Sequence, residues 1–427
     1  MSDAALSPIR RLSPVEFTGM LALLFAALAF SIDAMLPALP EIGAELSPDA
    51  LNRAQLVLSA FVLGMGAGTL FVGPVSDAIG RKVSIAGGFA LYIAASVTAH
   101  HAQSLELLLA ARVIQGIGAS APRVAGVAML RDLYAGREMA RIMSFVMMVF
   151  MVVPALAPLV GQTIILFFDW RAIFLVYIGF ALVAFTWLWL RQPETLAPER
   201  RRALTPANLL SAFREVVGNR EVRLYTAAMT LGYGQMFALL SSIQQVFDQT
   251  YDRAQSFPLW FAGIAAISAT GSFINSAFVM RLGMRRIVIL AYIGASALSL
   301  VALALSLAGL LGFFAFYVWG TSVFFIAGLT FGNLNALAVQ KMGHIAGMAT
   351  SIVTAISTML ATLIAGPVGL LFDGTAGPAI LTAAICSILA LVLMTRSERF
   401  CRLSLPSRVS SAPRPSPPDP WRWRRHP

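Results

Sequence analysis

Asp33 lies inside the first long apolar run of the chain, between Phe30 and Pro37. An ionised side chain in hydrocarbon costs roughly 2.5–3.5 kcal/mol on insertion scales, so such acids normally face a bundle interior or a water-filled cavity. We therefore predict that Asp33 is a working residue that binds a proton, an ion or a cationic group.

Arg112 and Gln115 are polar residues of the fourth apolar run, and they share a helical face because residues three apart are neighbours. Arg112 lies about seven residues from the outer end of its run, and Asp33 lies about seven from Pro40, so both are roughly 10 Å below one membrane boundary. An ion pair or a water-bridged contact between Asp33 and Arg112 is one prediction, and a static buried pair that only fixes packing is the alternative. Equal depth does not establish that the two side chains share a face.

The elements that carry these residues follow from composition. Of the 427 residues, 58% are hydrophobic and 12% are charged, whereas soluble domains are about a quarter charged. A transmembrane helix needs about 20 apolar residues, and the sequence predicts an all-α polytopic membrane protein with twelve such helices. The predicted spans are 16–39, 54–75, 83–101, 105–130, 141–167, 171–190, 223–246, 257–281, 286–307, 311–337, 345–371 and 377–395.

The net charge of +11 could suggest nucleic acid as a partner. Most Lys and Arg residues, however, lie at the termini and in the even-numbered loops, which is the distribution of topology signals. We therefore expect a lipid bilayer and no nucleic acid as partner, with both termini cytoplasmic.

A basic, Pro-containing break divides the spans into six and six, the pattern of the major facilitator fold. The predicted units are a cytoplasmic N-terminus 1–15, an N-terminal six-helix half 16–190 and a cytoplasmic linker 191–222. A C-terminal six-helix half 223–395 and a cytoplasmic, disordered tail 396–427 follow. Part of the linker, residues 207–223, has the apolar spacing of a surface helix.

The loop after the second run contains Gly73, Asp77, Gly80 and Arg81. It resembles the G-x-x-x-D-x-x-G-R-K loop of the major facilitator superfamily and predicts a conformational gate. The glycines would permit a tight turn, Asp77 could accept hydrogen bonds from a neighbouring helix N-terminus, and Arg81 could pair with Asp132. The alternative is that the basic residues only set orientation.

The fifth run contains Pro154, Pro158 and Gly161 and looks like the G-P-x-x-G-G antiporter motif of drug exporters. Ala157 and Gln162 replace two of its glycines, which weakens the inference to antiport. Proline removes a backbone hydrogen bond and kinks a helix, which suits a moving interface between halves.

Four other polar residues are candidates for lining a cavity: Arg123, Gln162, Gln235 and Asn333. Arg123 could instead extend its side chain to the inner membrane surface. The amides could simply bond neighbouring helices together.

Residues 112–118 resemble the superfamily's R-x-x-Q-G-x-G motif, and four further segments narrow the resemblance: 33–40, 131–134, 169–174 and 343–351. Together they resemble the bicyclomycin/chloramphenicol-resistance (Bcr/CflA) branch of bacterial drug exporters, over residues 16–395. Pro122 and Arg123 depart from the small apolar residues expected there, and they would alter the shape of the inner cavity and so the choice of substrate.

The resemblance implies a secondary transporter in the bacterial inner membrane that exports small amphipathic drugs in exchange for protons by alternating access. A proton-coupled transporter of one metabolite, such as a sugar, a siderophore or an amino-acid derivative, is the alternative. Enzyme motifs such as H-E-x-x-H, a nucleophile elbow or a phosphate loop are absent from the sequence. We expect no cofactor, no metal and a monomer.

Overall fold

The computed structural model describes residues 12–201 and 205–403. Within these ranges the chain is helical, without strands, and its twelve long helices confirm the predicted all-α fold. Their bounds are α1 Pro14–Asp33, α2 Leu56–Ile79, α3 Arg81–His100, α4 Leu105–Leu133, α5 Gly136–Phe167, α6 Ala172–Arg191, α7 Arg220–Leu240, α8 Phe257–Leu282, α9 Met284–Leu307, α10 Phe313–Val339, α11 Ala346–Leu370 and α12 Gly377–Leu403.

Eleven helical segments in the described ranges are long and apolar enough to cross a membrane. The remaining long helix is α7, whose first turn carries Arg220, Glu221 and Arg223. It packs against α10, α11 and α12. Because its first turn is charged and the helix packs against three others, α7 is less apolar than its neighbours.

The predicted first span 16–39 is broken in the structure. Helix α1 ends at Asp33, a 3-10 turn covers Leu36–Ala38, and a short helix covers Leu39–Leu46. Pro37 has no N–H to bond the carbonyl of Asp33, so the α-helical ladder cannot continue through this point. Asp33 is therefore the last residue of a helix and not an interior position.

The chain between the two halves contains a helix at Pro206–Gly218, close to the predicted surface helix. Helix α12 continues to Leu403, so the predicted tail from residue 396 begins inside a helix. The rest of that tail, 404–427, and most of the predicted N-terminal segment lie outside the described residues.

Glycines bring α4 close to α2 and α3. A Cβ at Gly64 would overlap the backbone of Val113, and one at Gly116 would overlap the carbonyl oxygen of Phe61. A Cβ at Gly118 would lie 2.6 Å from the carbonyl oxygen of Gly88. Small residues at helix crossings permit this backbone approach, and they hold the polar face of α4 against its neighbours.

The two halves meet where α2 packs against α11 and α5 against α8. We call the end of the bundle that carries the chain between α6 and α7 the linker end. At the opposite end, the Asn52 amide donates to the carbonyl oxygens of Leu370 at 3.2 Å and Phe372 at 2.8 Å. Gln245 donates to Asn52 at 3.0 Å, so this end is closed by hydrogen bonds between halves.

Candidate functional site

Arg112 is fully buried on α4. It donates three hydrogen bonds: to the carbonyl oxygen of Val57 at 3.3 Å, to Gln115 Oε1 at 2.6 Å and to the carbonyl oxygen of Ser31 at 3.0 Å. The guanidinium carbon also lies 4.4 Å from the ring centroid of Phe61. The charge is therefore solvated by neutral acceptors and an aromatic face.

The hydrogen bonds continue from Arg112 into neighbouring helices. Gln115 donates to Ser96 Oγ at 2.7 Å, and Ser96 donates to the carbonyl oxygen of Tyr92 at 2.8 Å. The hydroxyls of Tyr92 and Ser31 share a hydrogen bond of 2.5 Å, and Tyr177 donates to the Ser31 carbonyl at 3.2 Å. This network joins α1, α2, α3, α4 and α6.

Asp33 is 7% exposed. Among the described residues it has neither a hydrogen bond nor an ion pair, so the predicted direct ion pair with Arg112 is absent. Arg112 reaches α1 at the backbone carbonyl oxygen of Ser31, two residues before Asp33. The shared depth was therefore insufficient to predict a contact.

Gly161 lies where α5 crosses the end of α1. A Cβ at Gly161 would overlap the carbonyl oxygen of Ala34 and lie 2.9 Å from its carbon. The structure thus brings the antiporter-like segment to the residue that follows Asp33. Pro154 and Pro158 lie inside the same helix, and Pro158 is buried.

Arg81 is the centre of a charged cluster at the linker end. Its Nε donates to Asp132 Oδ2 at 3.1 Å, and its Nη1 donates to Ser76 Oγ at 2.8 Å and to Asp77. The predicted pairing of Arg81 with Asp132 is confirmed. Gly73 lies nearby, where its Cβ would be 3.6 Å from Ser351 Oγ on α11.

Glu194 belongs to the same cluster and was missed by the sequence reasoning. The backbone N–H groups of Arg81 and Lys82 donate to its two carboxylate oxygens at 2.9 and 3.0 Å. The carboxylate at a helix N-terminus is thus Glu194, and the described hydrogen bond of Asp77 goes instead to the Arg81 side chain. Gly80 makes room for it, with φ of 108° and a Cβ position 2.5 Å from Glu194.

The segment 169–174 holds in place the start of α6, at the end of the bundle opposite the linker. Trp170 donates to Glu45 at 2.7 Å, and Arg171 forms a 2.8 Å ion pair with the same carboxylate. Hydrogen bonding to Glu45 raises the pKa of the Arg171 guanidinium above its ordinary value. This contact joins the start of α6 to the short helix Leu39–Leu46.

The candidate amides differ in their surroundings. Asn333 donates to Asn275 at 2.7 Å and to the Leu329 carbonyl at 2.9 Å, and so ties α10 to α8. Gln235 is 2% exposed, and its Oε1 has no partner in the described part of the chain. Gln162 is half-buried on α5.

The chain belongs to the Major Facilitator Superfamily, whose family model matches residues 20–366. It is therefore a multi-pass membrane transporter of small molecules and not an enzyme. A transporter of Bacillus subtilis named "Uncharacterized MFS-type transporter YdgK" is 32% identical over 84% of this chain and 89% of its own length.

Two relatives carry more specific names. A "Bicyclomycin resistance protein homolog" of Haemophilus influenzae is 29% identical, over 85% of this chain and 91% of the relative. A "Chloramphenicol resistance protein" of Pseudomonas aeruginosa is 30% identical over 86% of each chain. The predicted resemblance to this branch is confirmed.

Solved structures share the fold. The xylose transporter XylE of E. coli, in a partially occluded inward-open conformation, superposes with a TM-score of 0.69 at 13% identity, over 90% of this chain and 99% of XylE.

Proposed function

We propose that this transporter exports small amphipathic drugs in exchange for protons by alternating access. It works in the bacterial inner membrane with both termini cytoplasmic. The observation that carries the proposal is the position of Asp33: buried, without a described partner, at the end of α1 and beside the crossing with α5.

Proton exchange follows from this position. A buried carboxylate without a counter-ion is costly, so Asp33 keeps a proton while the bundle around it is closed. Movement of α5 away from Ala34 would admit water to the end of α1 and let the proton leave. Arg112 supports the release, because its charge is solvated by neutral groups only and would stabilise a nearby negative charge.

Drug export is supported by the names of the relatives, two of which refer to resistance against bicyclomycin and chloramphenicol. The linker-end cluster of Arg81, Asp77, Asp132 and Glu194 would act as the gate on the linker side, because it ties α2, α3 and α4 to the linker. Pro154, Pro158 and Gly161 would let α5 move against α1.

The test uses everted membrane vesicles in which drug uptake is driven by an imposed proton gradient. Wild-type protein should accumulate chloramphenicol, and a protonophore should abolish the accumulation. Asp33→Asn should abolish the gradient-driven uptake while the protein stays folded and inserted. Asp49→Asn, at an exposed residue between α1 and α2, is the matched control and should behave as wild type. Normal uptake and proton exchange in Asp33→Asn would contradict the proposal.

A further inference from the structure

A small cavity lies between the two halves, near the end of the bundle opposite the linker. It is lined by residues of α2 from the N-terminal half and by residues of α11 and the end of α7 from the C-terminal half. Its volume is about 10 Å³, which is room for about one water molecule or one hydroxyl group. An occupant of this cavity therefore contacts both halves at once.

Three hydroxyl groups line the cavity: those of Ser59, Ser241 and Thr362. Ser241 donates its proton to the carbonyl oxygen of Ala238 at 2.9 Å. Thr362 donates its proton to the carbonyl oxygen of Thr358 at 2.8 Å. These two hydroxyl oxygens therefore keep their lone pairs as acceptors. The hydroxyl of Ser59 has no hydrogen bond to a described residue, so the cavity offers two acceptors and one free donor.

Gln55 adds an unpaired polar group beside these hydroxyls. It lies one helical turn before Ser59, at the start of α2. A Cβ at Gly369 would lie 2.9 Å from the Cβ of Gln55 and 3.3 Å from Ser241 Oγ, so both side chains pack against the same point of α11. Gln55 is 2% exposed, and its Oε1 has no partner in the described part of the chain. Because buried polar groups are normally hydrogen-bonded, this deficit indicates that a bound group supplies the missing partners.

The rest of the lining is apolar and uncharged. It includes the ring of Phe237, which stacks on Tyr233 at 5.8 Å with an interplanar angle of 9°. Ser59 and Phe237 are half-buried, so a ligand reaches the cavity past these two side chains. Arg123, the half-buried cation that the sequence predicts to line a cavity, is not among the residues that line this one. An ion here would have no counter-charge, and burying an unpaired charge costs far more than burying a hydroxyl that finds partners.

We propose that Ser59, Ser241 and Thr362 form a specificity site that binds the hydroxyl group of an uncharged, ring-containing substrate. The hydroxyl donates to the oxygens of Ser241 and Thr362 and accepts from Ser59, and the ring packs against Phe237. A ketone oxygen at this place only accepts, and an ammonium group carries a charge that the lining does not balance. This inference rests on the proposed transport function for the meaning of "substrate", but binding itself needs neither protons nor export.

The test measures binding to detergent-purified, full-length protein by calorimetry, without any proton gradient. The probes are benzhydrol, benzophenone and benzhydrylammonium, which share two phenyl rings on one carbon and differ in being an alcohol, a ketone and a cation. Wild type should bind benzhydrol roughly threefold to tenfold more tightly than benzophenone, as expected for one additional neutral hydrogen bond. It should bind benzhydrylammonium more weakly than benzhydrol.

Two variants separate the acceptors of the site from its donor. The double variant Ser241→Ala with Thr362→Val removes the acceptors, so it should abolish the preference for the alcohol and leave benzophenone binding unchanged. Ser59→Ala removes the donor and should weaken the binding of both benzhydrol and benzophenone. The matched control is Thr98→Val with Ser144→Ala, at two exposed hydroxyls that also donate to carbonyls of their own helices, and it should bind like wild type.

Folding of each variant is checked by its gel-filtration profile and thermal unfolding. Because no gradient is applied, a failure of proton-driven uptake in vesicles leaves these binding results intact, so the two proposals fail separately. Equal affinity of wild type for benzhydrol and benzophenone, tighter binding of benzhydrylammonium than of benzhydrol, no measurable binding of benzhydrol, or an unchanged alcohol preference in the folded double variant would each overturn the proposal.

Discussion

Arg112 donates a 3.0 Å hydrogen bond to the carbonyl oxygen of Ser31, two residues before Asp33 at the end of α1. The bond places a positive charge against the backbone of the helix that carries the buried acid, without neutralising that acid. The end of α1 is thus held from one side by α4, through Arg112, and from the other by α5, through Gly161. Any movement of α5 must change the surroundings of Asp33.

Arg112→Lys should destabilise the protein although it keeps the charge. The planar guanidinium reaches acceptors on α1, α2 and α4 at once, and a single ammonium group cannot reproduce this fork. We expect a loss of roughly 1.5–3 kcal/mol, measured by thermal unfolding in detergent. The control is Arg53→Lys, whose exposed ion pair with Glu106 should matter little. Equal melting temperatures for Arg112→Lys and wild type would show that the fork is dispensable.

Gly161→Ala should push α5 away from α1. The new methyl group would overlap the carbonyl oxygen of Ala34, a backbone atom that cannot turn aside. Overpacking of this kind costs about 1–3 kcal/mol, and we expect lower thermal stability together with impaired drug uptake in vesicles. Gly179→Ala on α6 is the control, because nothing lies within 4 Å of its Cβ position. Unchanged uptake in Gly161→Ala would show that transport does not depend on the close packing of α5 against α1.

Asp132→Asn should loosen the linker end, because Arg81 loses one of its two ion pairs. The readout is the labelling rate of Ser351→Cys by an impermeant maleimide in everted vesicles, with Cys386 and Cys401 replaced by alanine. A partly buried pair stabilises by about 1 kcal/mol, so the rate should rise by roughly threefold to tenfold. Glu106→Gln, which breaks an exposed pair at the opposite end, should leave the rate unchanged. A rate equal to that of the parent would argue against a gate at Asp132.

A disulfide between Gln55→Cys and Gly369→Cys should lock the opposite end closed. A Cβ at Gly369 would lie 2.9 Å from the Cβ of Gln55, so a small shift reaches the roughly 3.8 Å of a disulfide. Oxidation should stop drug uptake, and dithiothreitol should restore it. The single-cysteine variants should transport in both conditions. Continued uptake in the cross-linked protein would mean that the two halves need not separate at this end.

The sequence was sufficient to predict the twelve helices, because a long apolar run that crosses a bilayer folds as a helix. It was also sufficient for the pairing of Arg81 with Asp132, since both residues lie at the same end of neighbouring helices. It could not predict whether Arg112 contacts Asp33, because the depth of a residue along a helix says nothing about the direction of its side chain around the helix axis. Glu194 escaped notice since it lies in an irregular segment without periodicity, and only the folded chain brings it to the start of α3.

The hydrogen bonds of Asn52 contribute to the free-energy cost of opening the end of the bundle opposite the linker. Its side-chain amide donates to the carbonyl oxygens of Leu370 and Phe372 and accepts from Gln245. All three bonds are between uncharged groups, and each stabilises by about 0.5–1.5 kcal/mol. Opening this end therefore costs only a few kcal/mol at these bonds. A difference of that size is what the binding of one ligand or one proton can overcome. The strength of these bonds also changes little with pH and salt, because none of the groups that form them titrates or carries a charge.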